Sequence, residues 1–197
     1  MKYKLKFYKM LLFVLIILTL LVGVMIAEKY IVMDMIEKET QEVLANINLE
    51  AEKNNNEPIK EIKQEIKGNK VVGIIGIPKI DLEYPILEKT TVESLKLSIT
   101  KFWGNRINEI GNVALAGHNN LNGTMFGKVD SLEKGDVIEL TDIQNVTLKY
   151  EVFDKYVIDP NDINCIFPVE ENTREVTLIT CINGDNNRLI IKAREIR

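Results

Sequence analysis

The first part of the chain carries one long apolar run. Residues 10–27 contain no charged side chain. A helix that crosses the hydrocarbon core of a bilayer needs roughly 20 apolar residues, so this run predicts a transmembrane anchor. A cleaved signal peptide is the rival interpretation, but its apolar core is usually only about 7–15 residues long. The tripeptide Met25-Ile26-Ala27 is also a poor cleavage site.

The charges that flank this run predict its orientation. Lysines precede the run, and acidic residues follow it. These residues are Lys2, Lys4, Lys6 and Lys9 on one side, and Glu28, Asp34, Glu37 and Glu39 on the other. Because positive charge is retained on the cytoplasmic side of a membrane, residues 1–9 are predicted to be cytoplasmic and the bulk of the chain extracellular.

A charged stalk is predicted between residues 28 and 69. Its first part has apolar residues at roughly helical spacing, at Ile31, Met35, Val43, Leu44 and Ile47. The segment 53–58 ends this pattern with three asparagines and a proline, which cannot continue a helix. Ile59, Ile62 and Ile66 then form a second short amphipathic pattern. A helical tether and a partly disordered spacer both fit this stalk.

From residue 70 onward the period of the pattern changes. Short apolar or alternating runs are separated by turn residues such as Pro78 and the pairs Gly111-Asn112, Gly135-Asp136 and Gly184-Asp185. The runs are 71–77, 82–87, 113–117, 137–140, 146–158, 176–181 and 189–196. Seven or eight short strands in a domain spanning 70–197 indicate an all-β fold, either a small antiparallel barrel or a sandwich.

One short helix is predicted inside this domain, directly after Thr90. Thr90 and Glu93 have the spacing of a capping box, and Val92, Leu95 and Ile99 would share one helical face. Trp103 follows this segment and is interpreted as packing in the core or a loop rather than as a substrate platform.

Composition limits the chemistry. The formal net charge of −4 argues against nucleic acid as a partner, and two cysteines are too few for a disulfide-dense scaffold. With one histidine and widely spaced cysteines there is no Cys/His zinc pattern. No cofactor is therefore predicted, although calcium bound by acidic loop residues stays open. The residues considered for it are Asp142, Glu170, Glu171 and Asp185.

Three reactive side chains fall at predicted strand ends. Cys181 ends one run, Arg188 begins the next, and the only histidine, His118, follows the run 113–117. A thiol, an imidazole and a guanidinium supply a nucleophile, a proton carrier and a donor for a developing oxyanion, which are the parts that acyl transfer requires. The second thiol, Cys165, lies in no comparable pattern and is interpreted as packing or idle.

Strand alternation predicts where these groups point. Val176 and Leu178 should face the core, as should Leu189, Ile191 and Ala193 of the last strand. The outward set is then Thr177, Ile179 and Cys181 on one strand and Arg188, Ile190, Lys192 and Arg194 on the next. Because the intervening polar loop is short, Cys181 and Arg188 are expected at the same end of a hairpin.

The segment Thr177-Leu178-Ile179-Thr180-Cys181 matches the TLxTC motif of the sortases, which are cysteine transpeptidases of Gram-positive cell surfaces. The segment 111–118 resembles the strand that ends in their histidine, and 188–190 resembles the segment that carries their arginine. The resemblance covers about residue 71 to the C-terminus. It implies an eight-stranded sortase barrel, with Cys181 as nucleophile, His118 as general acid and base, and Arg188 as the cation that stabilises the oxyanion or positions the substrate.

The resemblance also implies an activity. A sortase cleaves an LPxTG-type sorting signal between Thr and Gly and transfers the protein to an amine of a peptidoglycan precursor. Ala116, Asn119 and Thr180 are the expected substrate-binding residues. The sequence after His118 is most similar to class D sortases, with class A next, and the lack of a second apolar segment before Arg197 argues against class C. Another thiol acyl-transferase or hydrolase, and a non-catalytic anchored barrel, remain alternatives.

Overall fold

A computed structural model describes residues 2–53, 64–182 and 184–196. The chain divides into two compact units, Met1–Glu39 and Thr40–Arg197. The boundary falls inside helix α1, Lys2–Lys53, and within the predicted stalk. The predicted helix break at residues 54–58, together with Ile59 and Ile62, lies outside the described residues.

The first unit consists of the N-terminal part of α1. Side chains of the apolar run are exposed, among them Leu11, Phe13 and Leu20. An 18-residue window of this helix has a mean hydropathy of 3.1, so the helix is long and apolar enough to cross a membrane by length and composition.

The second unit is built from strands and contains the last part of α1. The strands are β1 Glu65–Ile66, β2 Asn69–Ile77, β3 Leu82–Leu87, β4 Ile99–Trp103, β5 Gly111–Ala116, β6 Val137–Asp142, β7 Thr147–Ile158, β8 Arg174–Cys181 and β9 Arg188–Glu195. A short helix α2, Val92–Leu95, lies between β3 and β4. Single 3-10 turns occur at Pro78–Ile80, Val129–Ser131 and Asn164–Ile166.

Strands β2 to β9 close into a barrel. Their order is β2-β3-β4-β5-β8-β9-β7-β6, and β6 pairs with β2 to complete the circle, while β1 adds two residues beside β2. The predicted all-β, eight-stranded barrel is therefore confirmed. It is not wholly antiparallel, because β3 pairs with β4 and β5 pairs with β8 in parallel.

The segment after Thr90 departs from its prediction. The N-cap is Thr91, not Thr90, and its capping-box partner is Ser94, not Glu93. The helix lasts one turn, Val92 is exposed, and Ile99 lies fully buried in β4. Ile99 fits a helical face and a strand equally well, and its pairing with Ile86 of β3 decides in favour of the strand. Ile66 was likewise predicted to lie in an amphipathic helix, but it is a buried residue of β1 that pairs with β2.

The barrel interior follows the predicted alternation. Val176 and Leu178 of β8 lie in the central hydrophobic cluster, as do Leu189, Ile191 and Ala193 of β9. Tyr150 and Phe126 are among the largest side chains that this core buries completely. The inward face of each strand is therefore set by its period-2 pattern.

The outer face of β8 and β9 differs from its prediction, because part of it is buried. The segment that joins β7 to β8 covers it, and Cys165 and Ile166 from this segment pack on Ala114 and Ile190. Thr177 and Lys192, predicted to face outward, are consequently buried beneath it. The covering segment could not be assigned from periodicity because its place depends on contacts distant in sequence.

The end of α1 packs within the second unit. Thr40, Leu44 and Ile47 are buried, and the Thr40 hydroxyl donates a hydrogen bond of 3.1 Å to the carbonyl oxygen of Leu97. The Asn48 amide lies 3.4 Å from the Glu83 carboxylate. The part of α1 from Thr40 onward therefore belongs to the barrel unit, and this part of the predicted stalk is helical.

Candidate active site

The hairpin of β8 and β9 places the thiol beside the guanidinium. Cys181 and Arg188 are direct register partners at the loop end of this hairpin. Cys181 is exposed, and the six residues between it and Arg188 form the connecting loop. The two side chains therefore start from paired positions on neighbouring strands.

The parallel pairing of β5 with β8 brings the histidine to the same end of the barrel. Ala116 is the register partner of Ile179, and the Gly117 N–H donates a hydrogen bond to the Ile179 carbonyl. The buried Thr180 hydroxyl donates to the Gly117 carbonyl oxygen at 2.8 Å. Since His118 follows Gly117 directly, these bonds hold the start of the His118 segment against the end of β8.

Gly117, the residue before His118, is packed too closely against its neighbours to carry a side chain. A Cβ atom at Gly117 would lie 2.8 Å from the ring of Phe126, closer than carbon atoms pack. The Phe126 N–H in turn donates to the carbonyl oxygen of His118. The chain after His118 thus folds back on itself in a fixed loop, and a larger residue at Gly117 would displace the histidine.

A cavity of about 310 Å³ opens where these strand ends meet. His118, Cys181 and Arg188 all line it, together with two of the expected substrate-binding residues, Ala116 and Thr180. The third, Asn119, is not among the lining residues; its amide donates a 2.9 Å hydrogen bond to the carbonyl oxygen of Cys181. The structure therefore gathers the thiol, imidazole and guanidinium around one space.

Only one nitrogen of the Arg188 guanidinium donates hydrogen bonds to the described residues. One nitrogen, Nη1, donates to the carbonyl oxygens of Asn186 at 2.5 Å and Asn187 at 3.3 Å. Within the described residues, Nε and Nη2 make no hydrogen bond. Because arginine has five N–H donors in a fixed fork, the loop can hold the group in place while other N–H groups face a ligand.

The walls of the cavity are largely apolar, and sequence reasoning missed most of them. The β7–β8 segment contributes Pro160, Ile163, Cys165 and Ile166, and the α2 region contributes Leu95. Burial raises the pKa of the Cys165 thiol, an effect that the nearby Lys192 ammonium only partly offsets. Cys165 is therefore a buried, protonated residue of the cavity wall, whereas Cys181 is exposed.

Buried polar side chains anchor this wall to the barrel. The Asn112 amide donates to the Ile166 carbonyl at 2.8 Å, and the Lys192 ammonium donates to the Phe167 carbonyl at 2.7 Å. Glu175, also buried, accepts from the Val169 N–H at 2.8 Å. These three side chains stand on the outer faces of β5, β9 and β8, so the shape of the cavity depends on them.

Lys192 and Glu175 form an ion pair 3.7 Å apart that is almost completely buried. Burial lowers the pKa of Lys192, and the Glu175 carboxylate opposes that shift. Arg194 completes the group by donating to both Glu175 and Glu170, with its guanidinium 4.7 Å from the Phe153 ring centre.

Several of the acidic residues considered for calcium have other partners. Glu170 pairs with Arg194, and Asp142 and Asp185 accept hydrogen bonds from backbone N–H groups. Among the described residues, no group of three or more histidine, cysteine or acidic side chains is arranged to hold a metal ion.

Comparison with known proteins shows which family the chain matches. The model of the sortase domain matches residues 75–196. Sortase A of Bacillus anthracis is 34% identical over 128 residues, which are 64% of this chain and 60% of that protein. Sortase D of Bacillus subtilis is 31% identical over 110 residues, which are 55% of this chain and 53% of that protein. The chain thus spans little more than half the length of these relatives.

Solved structures give the same result. A Clostridium perfringens sortase D5 transpeptidase superposes with a TM-score of 0.61 at 28% identity, covering 82% of this chain and 98% of that one. A lid mutant of sortase A from Corynebacterium diphtheriae gives a TM-score of 0.60 at 30% identity, covering 66% and 72%. These relatives include both class A and class D enzymes, in keeping with the resemblance noted in the sequence.

Proposed function

Because the chain belongs to the sortase family, we propose that it is a membrane-anchored cysteine transpeptidase. It cleaves an LPxTG-type sorting signal between Thr and Gly and transfers the protein to an amine of a peptidoglycan precursor. The observation that carries this proposal is the single cavity lined by Cys181, His118 and Arg188.

The first half of the reaction is acylation of Cys181. The thiolate attacks the Thr carbonyl carbon, and the carbonyl oxygen becomes an oxyanion that the N–H groups of Arg188 stabilise. The C–N bond to Gly then breaks, and the His118 imidazolium gives its proton to the departing amine. A thioester between the substrate and Cys181 results.

The second half returns the enzyme to its starting state. A neutral amine attacks the thioester carbonyl, the new C–N bond forms, and the C–S bond breaks. The amine proton passes through His118 to the departing sulfur, so the products are an amide and the Cys181 thiol. Donor and acceptor are thus joined without any cofactor-derived group.

Two features of the chain support the proposed location. The helix with a window of mean hydropathy 3.1 can serve as a single-pass anchor. Lysines before the apolar run and carboxylates after it favour a cytoplasmic N-terminus and an extracellular barrel. Such a barrel would face the compartment in which cell-wall precursors and exported proteins meet.

The activity can be tested with the full chain in detergent micelles. It would be incubated with a panel of LPxTG-like peptides and small amines, and the products would be identified by mass spectrometry. We expect the new Thr–amine amide together with the released Gly-containing fragment. The Cys181→Ala variant should form neither, whereas Cys165→Ala, which keeps the exposed thiol, should form both.

The outcomes separate the alternatives. Release of the Gly fragment without amide formation at any amine concentration would indicate a thiol hydrolase. Turnover by the Cys181→Ala variant would overturn the assigned nucleophile. A chain that cleaves none of the peptides would contradict the proposed substrate class.

A further inference from the structure

The residue after the histidine, Asn119, is hydrogen-bonded to the residue that carries the thiol. Its side-chain amide donates a bond of 2.9 Å to the carbonyl oxygen of Cys181, although the two residues are 62 positions apart in sequence. Asn119 was expected to bind substrate, but it does not line the cavity that contains Cys181. Its contact therefore points to a different role.

Strand geometry explains why the Cys181 carbonyl is turned toward the histidine segment. Successive carbonyl groups of a strand point to opposite sides, so residues two apart face the same neighbouring strand. The Ile179 carbonyl accepts from the Gly117 N–H, on the β5 side of β8. The Ile182 N–H donates to the Asn187 carbonyl, on the β9 side. The Cys181 carbonyl therefore faces the β5 side, as the Ile179 carbonyl does.

The side chain of Asn119 takes the place of a ladder bond. The pairing of β5 with β8 ends at Ala116 and Ile179, and two further residues on each chain place His118 level with Cys181. A continued ladder would donate from the backbone N–H of residue 119 to the Cys181 carbonyl. The Asn119 amide makes this bond instead. Among the described residues, it is the one hydrogen bond between the loop that follows β5 and Cys181.

The loop that presents Asn119 is itself anchored. Asn119 forms an isolated antiparallel bridge with Met125, and the His118 carbonyl accepts from the Phe126 N–H. Met125 and Phe126 belong to the central hydrophobic cluster, and Phe126 is completely buried there. The amide therefore reaches Cys181 from a backbone that is fixed in the barrel core.

On the strength of the proposed function, we infer that Asn119 is a positioning residue, whose amide holds Cys181 within reach of His118. The imidazole must reach both the sulfur and the leaving amine while the thiol approaches one carbonyl carbon. His118 and Cys181 are exposed side chains on two segments whose backbone pairing has ended. A hydrogen bond across that gap limits how far the two can separate. Asn119 contributes geometry, not a reacting atom.

The rate of thioester formation tests this role. The full chain in detergent micelles would be mixed with an LPxTG-type peptide without amine, quenched with acid at successive times, and weighed by mass spectrometry. Repeating this at several peptide concentrations gives the rate at saturation and the concentration that gives half of it. Asn119→Ala should lower the rate at saturation about five- to tenfold. The half-saturating concentration should stay unchanged, because no contact with the peptide is lost.

The neighbouring asparagine supplies a matched control. The Asn120 amide donates to the Thr124 hydroxyl at 2.9 Å, within the same loop. Asn120→Ala should therefore form the thioester at close to the wild-type rate, and its melting temperature should match that of Asn119→Ala. Asn119→Gln keeps an amide donor on a longer side chain and should recover part of the lost rate.

Three results would overturn the inference. An Asn119→Ala variant that needs more peptide but reaches the wild-type rate at saturation would show that Asn119 binds the substrate. Equal losses in Asn119→Ala and Asn120→Ala would show that the loop matters and the bond to Cys181 does not. Wild-type kinetics in Asn119→Ala would leave the bond without a role.

Alkylation of the thiol tests the same geometry without any peptide. Iodoacetamide reacts with the thiolate, and the His118 imidazole should promote this reaction at neutral pH. Asn119→Ala and His118→Ala should both slow the labelling that peptide mapping assigns to Cys181. The double variant should be no slower than His118→Ala, because Asn119 acts through the placement of the imidazole and the thiol. Labelling of the buried Cys165 should be equally slow in all variants, which controls for unfolding.

The two experiments separate this inference from the proposed function. This labelling pattern in a chain that forms no thioester with any LPxTG-type peptide would refute the proposed substrate and support the role of Asn119. Losses that add in the double variant of an active enzyme would refute the role of Asn119 alone. Equal labelling of wild type and His118→Ala would show that the imidazole does not act on the thiol, and would overturn the inference.

Discussion

The role of each polar side chain near the cavity that contains Cys181 follows from the groups that surround that side chain. Arg188 is partly exposed and is held by loop carbonyls, and within the described residues its Nε and Nη2 make no hydrogen bond. Lys192 is also a cation near this wall, but it is buried and paired with Glu175. We therefore assign Arg188 to chemistry and Lys192 to structure, and the two assignments make different predictions.

The Arg188→Ala variant should fold normally and lose activity. Removing one oxyanion donor typically costs roughly 10²–10³ in rate, or about 3–4 kcal/mol of transition-state stabilisation. The measurement is kcat/KM for peptide cleavage together with the melting temperature. Arg106→Ala, which removes an arginine whose side chain is 75% exposed, is the control. An Arg188→Ala enzyme as active as wild type would refute the role.

The Lys192→Met variant should be destabilised by up to about 3–5 kcal/mol, the cost of removing one partner of a buried ion pair, because the buried Glu175 carboxylate then keeps only Arg194 as a charged partner. The matched control is Lys149→Met, which breaks a shorter pair, 3.0 Å from Glu139, whose lysine is 63% exposed. An exposed pair is worth only about 0–1 kcal/mol. Urea unfolding measures both free energies, and equal losses would show that burial of the Lys192 pair carries no weight.

The meeting of Cys181, His118 and Arg188 at one cavity could be predicted from sequence, whereas the walls of that cavity could not. Cys181 and Arg188 fall at strand ends that alternation defines, and a short loop joins those strands. Ile163, Cys165 and Ile166 reach the cavity only because the β7–β8 segment folds over the barrel. That placement depends on Asn112 and Lys192, which are distant from this segment in sequence. No local sequence pattern predicts that these two polar side chains are buried.

Among the elements, α1 and the Pro78–Ile80 turn have roles that the pattern of the chain did not reveal. The last part of α1 buries Thr40, Leu44 and Ile47 within the barrel unit. The turn is tied to the start of β6 by Lys79, which lies 2.8 Å from Asp136 and 3.9 Å from Glu133. Both elements are expected to contribute to stability rather than to chemistry.

The Leu44→Ala variant should lower the free energy of unfolding by about 2–5 kcal/mol, the usual cost of truncating a buried leucine. Leu49→Ala is the matched control, because Leu49 lies on the same helix and is 51% exposed, against 4% for Leu44. The test is denaturant unfolding of the full chain. If the two variants lose the same stability, the end of α1 does not pack as described. A fragment that starts near residue 70 would lack this helix.

The Lys79–Asp136 pair should make stability depend on pH in the acid range. Burial acts to raise the pKa of Asp136, but the Lys79 hydrogen bond and the Glu133 N–H outweigh it, and the net pKa lies below its ordinary value. A carboxyl group whose pKa is lower in the folded state stabilises the fold above its unfolded pKa and loses this effect as pH falls through the folded pKa.

Asp136→Asn should therefore be less stable than wild type at neutral pH, with the difference shrinking between about pH 5 and pH 2. Unfolding free energies measured across this range give the difference directly. Asp130→Asn removes an exposed carboxylate and controls for the loss of one charge. A difference that grows toward low pH would contradict the sign of the linkage.

At the scale of whole elements, period-2 patterns predicted most of the strands. Two short strands, β1 and β4, were instead interpreted as helical. Val71–Ile77 and Leu82–Leu87 were recognised because their apolar runs are bounded by turn residues. The start of strand β4 was taken for the end of a helix, because Ile99 satisfies both periods and only its pairing with Ile86 of β3 distinguishes them. Strand β1 has two residues, too few for any periodicity.

In the whole molecule, one compact unit is the N-terminal part of α1, and the other contains the end of α1 and the closed barrel. Closure of eight strands leaves no long free edge, and it brings the ends of β5, β8 and β9 together at one rim. The barrel could be predicted from the number and length of the strands, but the parallel β5–β8 pairing could not. That pairing places His118 near Cys181 and Arg188. The topology as a whole therefore forms the cavity that these three residues line.

Cys181 is the residue proposed to hold the acyl group between the two halves of the reaction. The most direct measurement is the intact mass of the full chain, quenched with acid shortly after mixing with an LPxTG-type peptide in the absence of amine. We predict an increase equal to the peptide segment that ends at Thr, mapped by digestion to Cys181 and absent from Cys181→Ala. An unmodified chain that nevertheless cleaves the peptide, or an adduct on Cys165, would contradict the account.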